Sequence, residues 1–110
     1  MAEVAPGVFV SSLEPLTWQR DPDVGGEAHV MFEEGSSTFG LWRADPAERR
    51  APSPVEIPAR ESVVILTGSV RVGVDGTTLE LSAGDMASLP AHAAVTWDAS
   101  SDCKVIWAYH

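Results

Sequence analysis

The stretch SVRVGVDGTTLELS, residues 69–82, decides the fold of this chain. Valine occupies every second position from 70 to 74, which is the period-two pattern of a β-strand with one buried face. Asp75-Gly76 follows, and both residue types tolerate the positive φ angles of a two-residue hairpin turn. Alternation then resumes with leucine at positions 79 and 81. The stretch therefore predicts a tight antiparallel hairpin.

Further segments with strand character lie on both sides of this hairpin. They are residues 28–33, 38–44, 86–90, 94–98 and 104–109, with residues 8–12 as a weaker edge candidate. Residues 45–58 contain four prolines and Arg49-Arg50, and predict a loop or a proline-limited edge strand. No segment has a convincing helical period. Strands that recur about every eight to twelve residues predict an all-β sandwich or barrel in a single domain.

The charge of the chain excludes some classes of partner. Sixteen acidic and seven basic residues give a net charge of -9, so the overall field repels nucleic acids and anionic membranes. The single cysteine, Cys103, cannot form an intramolecular disulfide, and no Cys/His spacing resembles a structural zinc site. The first residues lack the basic and long apolar regions of a signal peptide. We therefore expect a cytoplasmic protein with no nucleic-acid or membrane partner.

Two motifs resemble those of the cupin superfamily. Glu61 is followed after six residues by Gly68, like the second half of the first cupin motif. The second motif resembles the segment from Gly84-Asp85 through Pro90 to Trp97. Together with Gly40-Leu41-Trp42, this order is similar to small single-domain cupins related to ethanolamine-utilisation and ureidoglycine-aminohydrolase proteins. The resemblance implies a double-stranded β-helix, a jelly-roll-like small barrel, with residues 38–110 as the cupin core and residues 1–37 as edge strands and loops.

The positions that hold a metal ion in many cupins are largely without donor atoms here. Counting back from Glu61, the paired histidine positions of the family fall on Pro54 and Glu56, or on residues 55 and 57 if the gap is one shorter. The third histidine position falls on Val95. Proline and valine side chains donate nothing to a cation, and two carboxylates without imidazole bind transition metals poorly. We therefore expect no metal and no other cofactor.

The residues that could form a site follow from the same alignment of motifs. Glu61 is the candidate for a general acid or base inside the barrel, and the alternative is an exposed glutamate or one paired with Arg60 or Arg43. Trp97 shares strand parity with the vacated metal position, so the resemblance implies that its indole points inward. The predicted ligand-binding set is Trp97, Glu56, Glu61, Val95, Trp42 and His92.

Each of these side chains also has a simpler interpretation. The tryptophans, with Trp107 and Tyr109, either line an aromatic cavity or merely fill the barrel. His92 lies in a turn and is either an exposed turn residue or a group at the mouth of the pocket. Arg49 and Arg50 either bind an anion or are simply solvated. The residue types alone leave these alternatives open.

Three functional hypotheses follow. The first is a metal-poor cupin, with little or no catalysis, that binds a small molecule in the barrel interior. The second is a metal-dependent cupin enzyme of the aminohydrolase, isomerase or dioxygenase type, and the third is a dimeric accessory protein without a ligand. A homodimer is expected in any case from exposed strand edges and from His29 and Met31, which the alternation places on the face opposite the core.

Overall fold

The computed structural model describes residues 2–48 and 51–110, and these residues form twelve β-strands and no helix. The strands are β1 (Ala2–Ala5), β2 (Val8–Val10), β3 (Gln19–Arg20), β4 (Glu27–Glu34), β5 (Ser37–Arg43), β6 (Val55–Glu56), β7 (Glu61–Thr67), β8 (Ser69–Val74), β9 (Thr77–Ser82), β10 (Met86–Leu89), β11 (Ala94–Ala99) and β12 (Lys104–Tyr109). Arg49 and Arg50, the candidate anion ligands, lie outside the described residues. The described part of the chain is therefore all-β, as the alternation predicts.

Two sheets form the body of the domain. One has six strands in the order β10-β7-β12-β5-β4-β3, and the other has four in the order β6-β11-β8-β9. All pairings are antiparallel, and β1 and β2 form a separate two-stranded sheet. Because neighbours such as β7 and β12 are distant in sequence, the connections cross between sheets, as in a jelly roll. The predicted all-β, jelly-roll-like fold is confirmed.

The hydrophobic core lies between the six-stranded and the four-stranded sheet. Strand β7 buries every second side chain from position 61 to position 65, and β8 buries Val70 and Val72. The apolar residues among them, at positions 63, 65, 70 and 72, belong to one cluster that also includes Ile57, Leu89, Ala93, Val95, Cys103 and Val105. Burial of apolar area at roughly 25 cal/mol per Å² is the main stabilising term for such a cluster. The same alternation sets which side chains of β7 face the interior.

The predicted hairpin is present. Strand β8 pairs with β9 in the expected register, and the turn residues Asp75 and Gly76 have φ angles of 48° and 88°. The carboxylate of Asp75 also accepts a hydrogen bond from the backbone N–H of Ala94 at 3.0 Å. The turn thus fixes the start of β11, the strand that carries Trp97.

The remaining predicted segments are also strands, with some differences at their edges. Residues 28–33 and 38–44 form β4 and β5, and β4 is an interior strand of the six-stranded sheet rather than an edge. The weak candidate at residues 8–12 forms only β2, which pairs with β1. The proline-rich segment contributes β6, a two-residue edge strand paired with β11. Among the described residues there is no helix that is long and apolar enough to cross a membrane.

Candidate functional site

A cavity of about 290 Å³ opens into the interior of the barrel. Its walls come from both sheets, and its mouth comes from β3 and the loop that follows β3. Aliphatic side chains form part of the wall, and four aromatic rings form the rest: Trp42, Trp97, Trp107 and Tyr109. The rings therefore line a cavity rather than fill the barrel completely.

Strand parity places Trp107 and Tyr109 on the same face of β12. Trp107 lies opposite Val63 and Tyr109 lies opposite Glu61 in the pairing of β12 with β7. Side chains of residues two apart on a strand share a face, so the inward face of β7 and that of β12 meet at the cavity. The rings of Trp107 and Tyr109 are in contact, with centroids 5.3 Å apart and an interplanar angle of 54°. Glu61 therefore borders an aromatic wall.

Glu61 is the unusual residue of the site. Its side chain borders the cavity, the residue is only 7% exposed, and its Oε1 atom has no hydrogen-bond partner among the described residues. Burial, and to a smaller extent the negative charge of Asp21, raise the pKa of Glu61 to about 7. Loss of hydration disfavours the charged form of a carboxyl group, and a nearby like charge adds to this effect. Glu61 is therefore poised between its two protonation states near neutral pH.

The alternative interpretation of Glu61, an exposed or arginine-paired glutamate, is wrong. Arg43 forms its ion pair with Glu27, with an Nη2–Oε1 distance of 2.9 Å. Arg60 donates a hydrogen bond to the hydroxyl of Ser88 at 3.1 Å. Both arginines are thus engaged elsewhere, and neither compensates the buried carboxyl group.

The phenol of Tyr109 responds to the same surroundings. Burial raises the pKa of Tyr109, and the negative charges of Glu61, Asp21 and Asp23 raise it further. The hydroxyl group of Tyr109 therefore stays protonated at all physiological pH values. Its hydroxyl group is a neutral neighbour of the carboxyl groups that surround it.

The mouth of the cavity is a short loop held by polar contacts. The carboxylate of Asp21 accepts hydrogen bonds from the backbone N–H groups of Asp23 and Val24, at 2.9 and 3.2 Å. The indole N–H of Trp42 donates to the backbone oxygen of Gly25 at 2.8 Å, which fixes this ring. At Gly26 the φ angle is 68°, and an added Cβ would lie 2.7 Å from Trp42 Cζ2, so glycine is required. The hydrogen bond and the close approach therefore hold the loop and the indole ring of Trp42 in fixed positions relative to each other.

Arg20 stabilises the loop at the mouth through ion pairs with two acidic residues outside the cavity. Its guanidinium donates to Glu48 at 2.7 Å and to Asp45 at 3.3 Å. Glu48 in turn accepts a hydrogen bond from the N–H of Gly26 at 3.0 Å. Residues 19–26 were not among the predicted site residues. The only local signal was the turn-forming sequence Asp-Pro-Asp followed by two glycines, which indicates a loop but not its position.

The predicted ligand-binding residues divide into two groups. Glu61, Trp42 and Trp97 line the cavity, and for Trp97 this is the inward position that its strand parity implied. Val95 is completely buried in the hydrophobic core and is not part of the cavity lining. The structure therefore brings only three of the six residues together.

Glu56 and His92 lie outside the cavity. The His92 Nδ1 atom is 3.4 Å from Glu56 Oε1, and both side chains are more than two thirds exposed. The structure corrects the expectation that Glu56 faces inward, because residues 55 and 57, not 56, line the cavity. The count that is one residue shorter is the correct one. His92 has a φ of 67° and is an exposed turn residue.

The residues at the family's metal position do not fit a divalent metal ion. The inward positions are Val55 and Ile57, which have no donor atoms, and Val95 occupies the third histidine position. Glu61 is the one potential ligand of this set. Among residues 2–48 and 51–110, no group of three or more His, Cys, Asp or Glu side chains is arranged to hold a metal ion. A single carboxylate is a poor site for such an ion.

A second buried polar group, His29, lies on the opposite face of the six-stranded sheet. It is 5% exposed, because residues 11–18 cover it. Its Nδ1 is 2.9 Å from the backbone oxygen of Thr17, which can only accept, so Nδ1 carries the proton. Nε2 then accepts from the hydroxyl of Ser11 at 2.8 Å. The side chain points away from the barrel core, as the alternation predicts, and on that face it is buried by contacts with Ser11 and Thr17.

Comparisons with known proteins support this fold. Similar solved structures include ethanolamine utilization protein Q of Salmonella typhimurium, with 17% identity over 84% of this chain and 76% of that chain and a TM-score of 0.69. The Cnp3 cupin domain of Schizosaccharomyces pombe has 17% identity over 88% and 69% of the two chains and a TM-score of 0.71. KdgF from a Halomonas species has 18% identity over 84% of each chain and a TM-score of 0.64.

These identities are low enough that the structural likeness shows the fold alone. No curated protein sequence matches the chain significantly. The model of the EutQ-like cupin domain family, in contrast, matches residues 32–105, which is about two thirds of the chain. The match covers β5, β7, β11 and the first two residues of β12, so it includes Trp42, Glu61 and Trp97 but ends before Trp107 and Tyr109. The chain therefore belongs to the EutQ-like cupin domain family.

Proposed function

We propose that this cupin binds a small organic molecule in its cavity, without a metal ion and with Glu61 as the main polar contact. The observation that carries the proposal is the Oε1 atom of Glu61, which is buried beside the cavity and has no partner among the described residues. A buried polar atom without a hydrogen bond costs roughly 1–3 kcal/mol. A ligand that donates a hydrogen bond to this oxygen removes that cost.

The walls of the cavity support the same proposal. Small-molecule pockets begin at about 300 Å³ and combine mostly apolar and aromatic walls with a few polar groups that orient the ligand. The cavity has about 290 Å³, and its wall includes three tryptophans and one tyrosine. Trp42 is held in place by the hydrogen bond to Gly25, so at least this wall is preformed. Preformed walls reduce the entropy that a ligand must lose on binding.

The same geometry gives less support to the enzymatic alternative. Metal-dependent catalysis needs an ion that keeps several protein ligands and an open position. Val55, Ile57 and Val95 supply none of those ligands. A metal-free reaction would need a second group beside Glu61 with a pKa suited to proton transfer near neutral pH. The pKa of Tyr109 is raised above its ordinary value, so its hydroxyl group does not meet this need.

A thermal-shift screen tests the proposal. The protein is melted with a library of small polar molecules in parallel with Glu61→Gln, Trp97→Ala and the exposed control Glu56→Gln. A ligand at about a hundredfold excess over Kd stabilises by about 2.7 kcal/mol, which corresponds to a rise in Tm of roughly 10 °C for a domain of this size. We expect at least one compound to raise the Tm of the wild type and of the control, and to lose most of its effect in the two cavity variants. A library that stabilises none of the proteins would contradict the proposal.

A second arm of the experiment tests the metal-free part. Protein purified without affinity-tag metal is submitted to elemental analysis and then melted with manganese, iron(II), nickel and zinc. We expect no stoichiometric metal and little change in Tm. Near-equimolar metal, with a stabilisation that Glu61→Gln abolishes, would replace this proposal by the metal-dependent enzyme.

The assembly and location of the protein stay predictions. The sheets have edge strands at β3, β6, β9 and β10, and β10 carries the highly exposed Met86, so a homodimer remains the expected state. Sedimentation that shows only monomer at micromolar concentration would contradict it. A dimer whose cavity takes up no compound in the screen would favour the accessory-protein alternative. The cytoplasmic location and the lack of nucleic-acid and membrane partners rest on composition and charge alone.

A further inference from the structure

The lining of the cavity is acidic as well as aromatic. Its ionisable side chains are the carboxyl groups of Asp21, Asp23 and Glu61, the phenol of Tyr109 and the guanidinium of Arg20. Arg20 is engaged with Asp45 and Glu48 outside the cavity, so it is not a free counter-ion for the interior. Among the described residues that line the cavity, carboxyl groups therefore outnumber guanidinium groups.

The carboxyl groups act on one another across the mouth. Asp21 contributes to the raised pKa of Glu61, and Glu61, Asp21 and Asp23 all contribute to the raised pKa of Tyr109. Like charges that share a site of low polarity repel one another, and each ionisation makes the next less favourable. A cation placed among them would reverse this effect. A neutral or anionic ligand would leave it in place or increase it.

The aromatic rings favour the same kind of ligand. The face of an indole or phenol ring attracts a cation through the ring quadrupole, by about 0.5–2 kcal/mol per contact, and tryptophan is the best of these rings. The chain already uses this interaction outside the cavity, where the guanidinium of Arg43 lies 4.0 Å from the ring of Trp18. The cavity offers the rings of Trp42, Trp97 and Trp107 beside a buried carboxyl group. Aromatic walls with a carboxylate are a typical environment for an organic ammonium group.

We propose that the ligand of this cavity is a small organic cation with an ammonium group, held between the tryptophan rings and the carboxyl groups of Glu61 and Asp21. This proposal rests on the proposed function, since it names the chemical class of the molecule that the cavity binds. The ammonium group contacts the buried oxygen of Glu61, and its alkyl part contacts the aromatic wall.

A matched set of probes tests the charge of the ligand. Choline is compared with its neutral tert-butyl isostere, in which carbon replaces the quaternary nitrogen, and with the tert-butyl carboxylate of similar size. Butylammonium and butanol form a second pair, so that both quaternary and primary ammonium groups are represented. Binding is measured by tryptophan fluorescence and calorimetry at low salt and about pH 8, above the pKa of Glu61 of about 7.

We expect the cation of at least one pair to bind the wild type at least about tenfold more tightly than its neutral partner, a difference of about 1.4 kcal/mol. Glu61→Gln should remove most of this preference, and Trp97→Leu should weaken binding of the cation. Glu56→Gln, which changes an exposed carboxylate by the same chemistry, should leave both unchanged. Circular dichroism of each variant shows that it is folded.

The failures of the two proposals are distinguishable. Equal or tighter binding of the neutral or anionic probes would overturn the cation proposal and leave the proposed function standing. The absence of binding by every probe at millimolar concentration would also overturn the cation proposal. Only the additional absence of any stabilising compound in the thermal-shift library would overturn the proposed function itself.

Discussion

Glu61 and His29 are both buried ionisable residues of the six-stranded sheet, but they lie on its two opposite faces and in opposite environments. His29 is enclosed by residues 11–18, and each of its ring nitrogens has a partner. Glu61 borders a cavity, and its Oε1 atom has no partner among the described residues. Complete hydrogen bonding is typical of a structural role, whereas a buried polar atom without a partner calls for another explanation. The comparison favours a structural role for His29 and agrees with the proposed binding role of Glu61.

The largest expected effect is the pH dependence of Glu61→Gln. The Glu61 carboxyl group has a pKa of about 7 in the folded protein and 4.5 in the unfolded chain. Its ionisation does not lower the free energy of unfolding below about pH 4.5, and lowers it progressively as the pH rises. Above about pH 7 the cost reaches a plateau of about 3 kcal/mol. Glu61→Gln should therefore be more stable than the wild type by up to about this amount at pH 8 and similar to it near pH 4.5.

Urea denaturation across this pH range checks the prediction. The wild type should lose stability between about pH 4.5 and pH 7 relative to the variant, and the difference should then stay constant. A difference that is independent of pH would show that Glu61 is not desolvated in the folded protein.

The second effect is the destabilisation by His29→Ala. The substitution leaves the backbone oxygen of Thr17 and the hydroxyl of Ser11 without their partner and opens a cavity, which should lower the free energy of unfolding by about 2 kcal/mol or more. Residues 11–18 should also become more accessible to proteases. Ser11→Ala, which removes one of the two contacts, should have about half the effect.

Urea denaturation and limited proteolysis measure this effect. Choline binding should not change in His29→Ala, because His29 is not part of the cavity lining. A variant with wild-type stability would contradict the structural role of His29. A folded variant that loses ligand binding would contradict the separation of His29 from the proposed binding site.

The smallest expected effect belongs to Glu56→Gln. Glu56 and His92 are highly exposed, with Glu56 Oε1 and His92 Nδ1 3.4 Å apart, and such surface contacts contribute little to stability. The variant should have the denaturation midpoint and the ligand affinity of the wild type. A clear loss of binding would mean that the cavity extends to this pair and that the choice of Glu56 as a control is wrong.

The sequence predicts the fold well because its signals are local. Alternation around Asp75-Gly76 fixes the hairpin, and the cupin-like motifs fix the order of the later strands. The parity of Trp97 relative to Val95 also follows from one strand. These predictions need no knowledge of distant contacts, which is why the structure confirms the strands and the inward position of Trp97.

The errors in the site have physical reasons. The distance from Glu61 back to the paired family positions can be counted in two ways, and the longer count places Glu56 inward although Val55 and Ile57 line the cavity. The mouth depends on contacts between Arg20 and Glu48, which are 28 positions apart. The missing partner of Glu61 depends on where Arg43 and Arg60 form their own contacts. Such long-range choices cannot be deduced from local patterns.

A carbon NMR titration of the glutamate side-chain carboxyl groups, with the Glu61 signal assigned by its absence in Glu61→Gln, tests the central claim most directly. The claim is that the Glu61 carboxyl group is buried beside the cavity without a partner. The account predicts that Glu61 titrates in the ligand-free folded protein with a pKa of about 7. The ordinary pKa of a solvated glutamate side chain is about 4.3. A Glu61 signal that titrates together with the exposed glutamates would contradict the account.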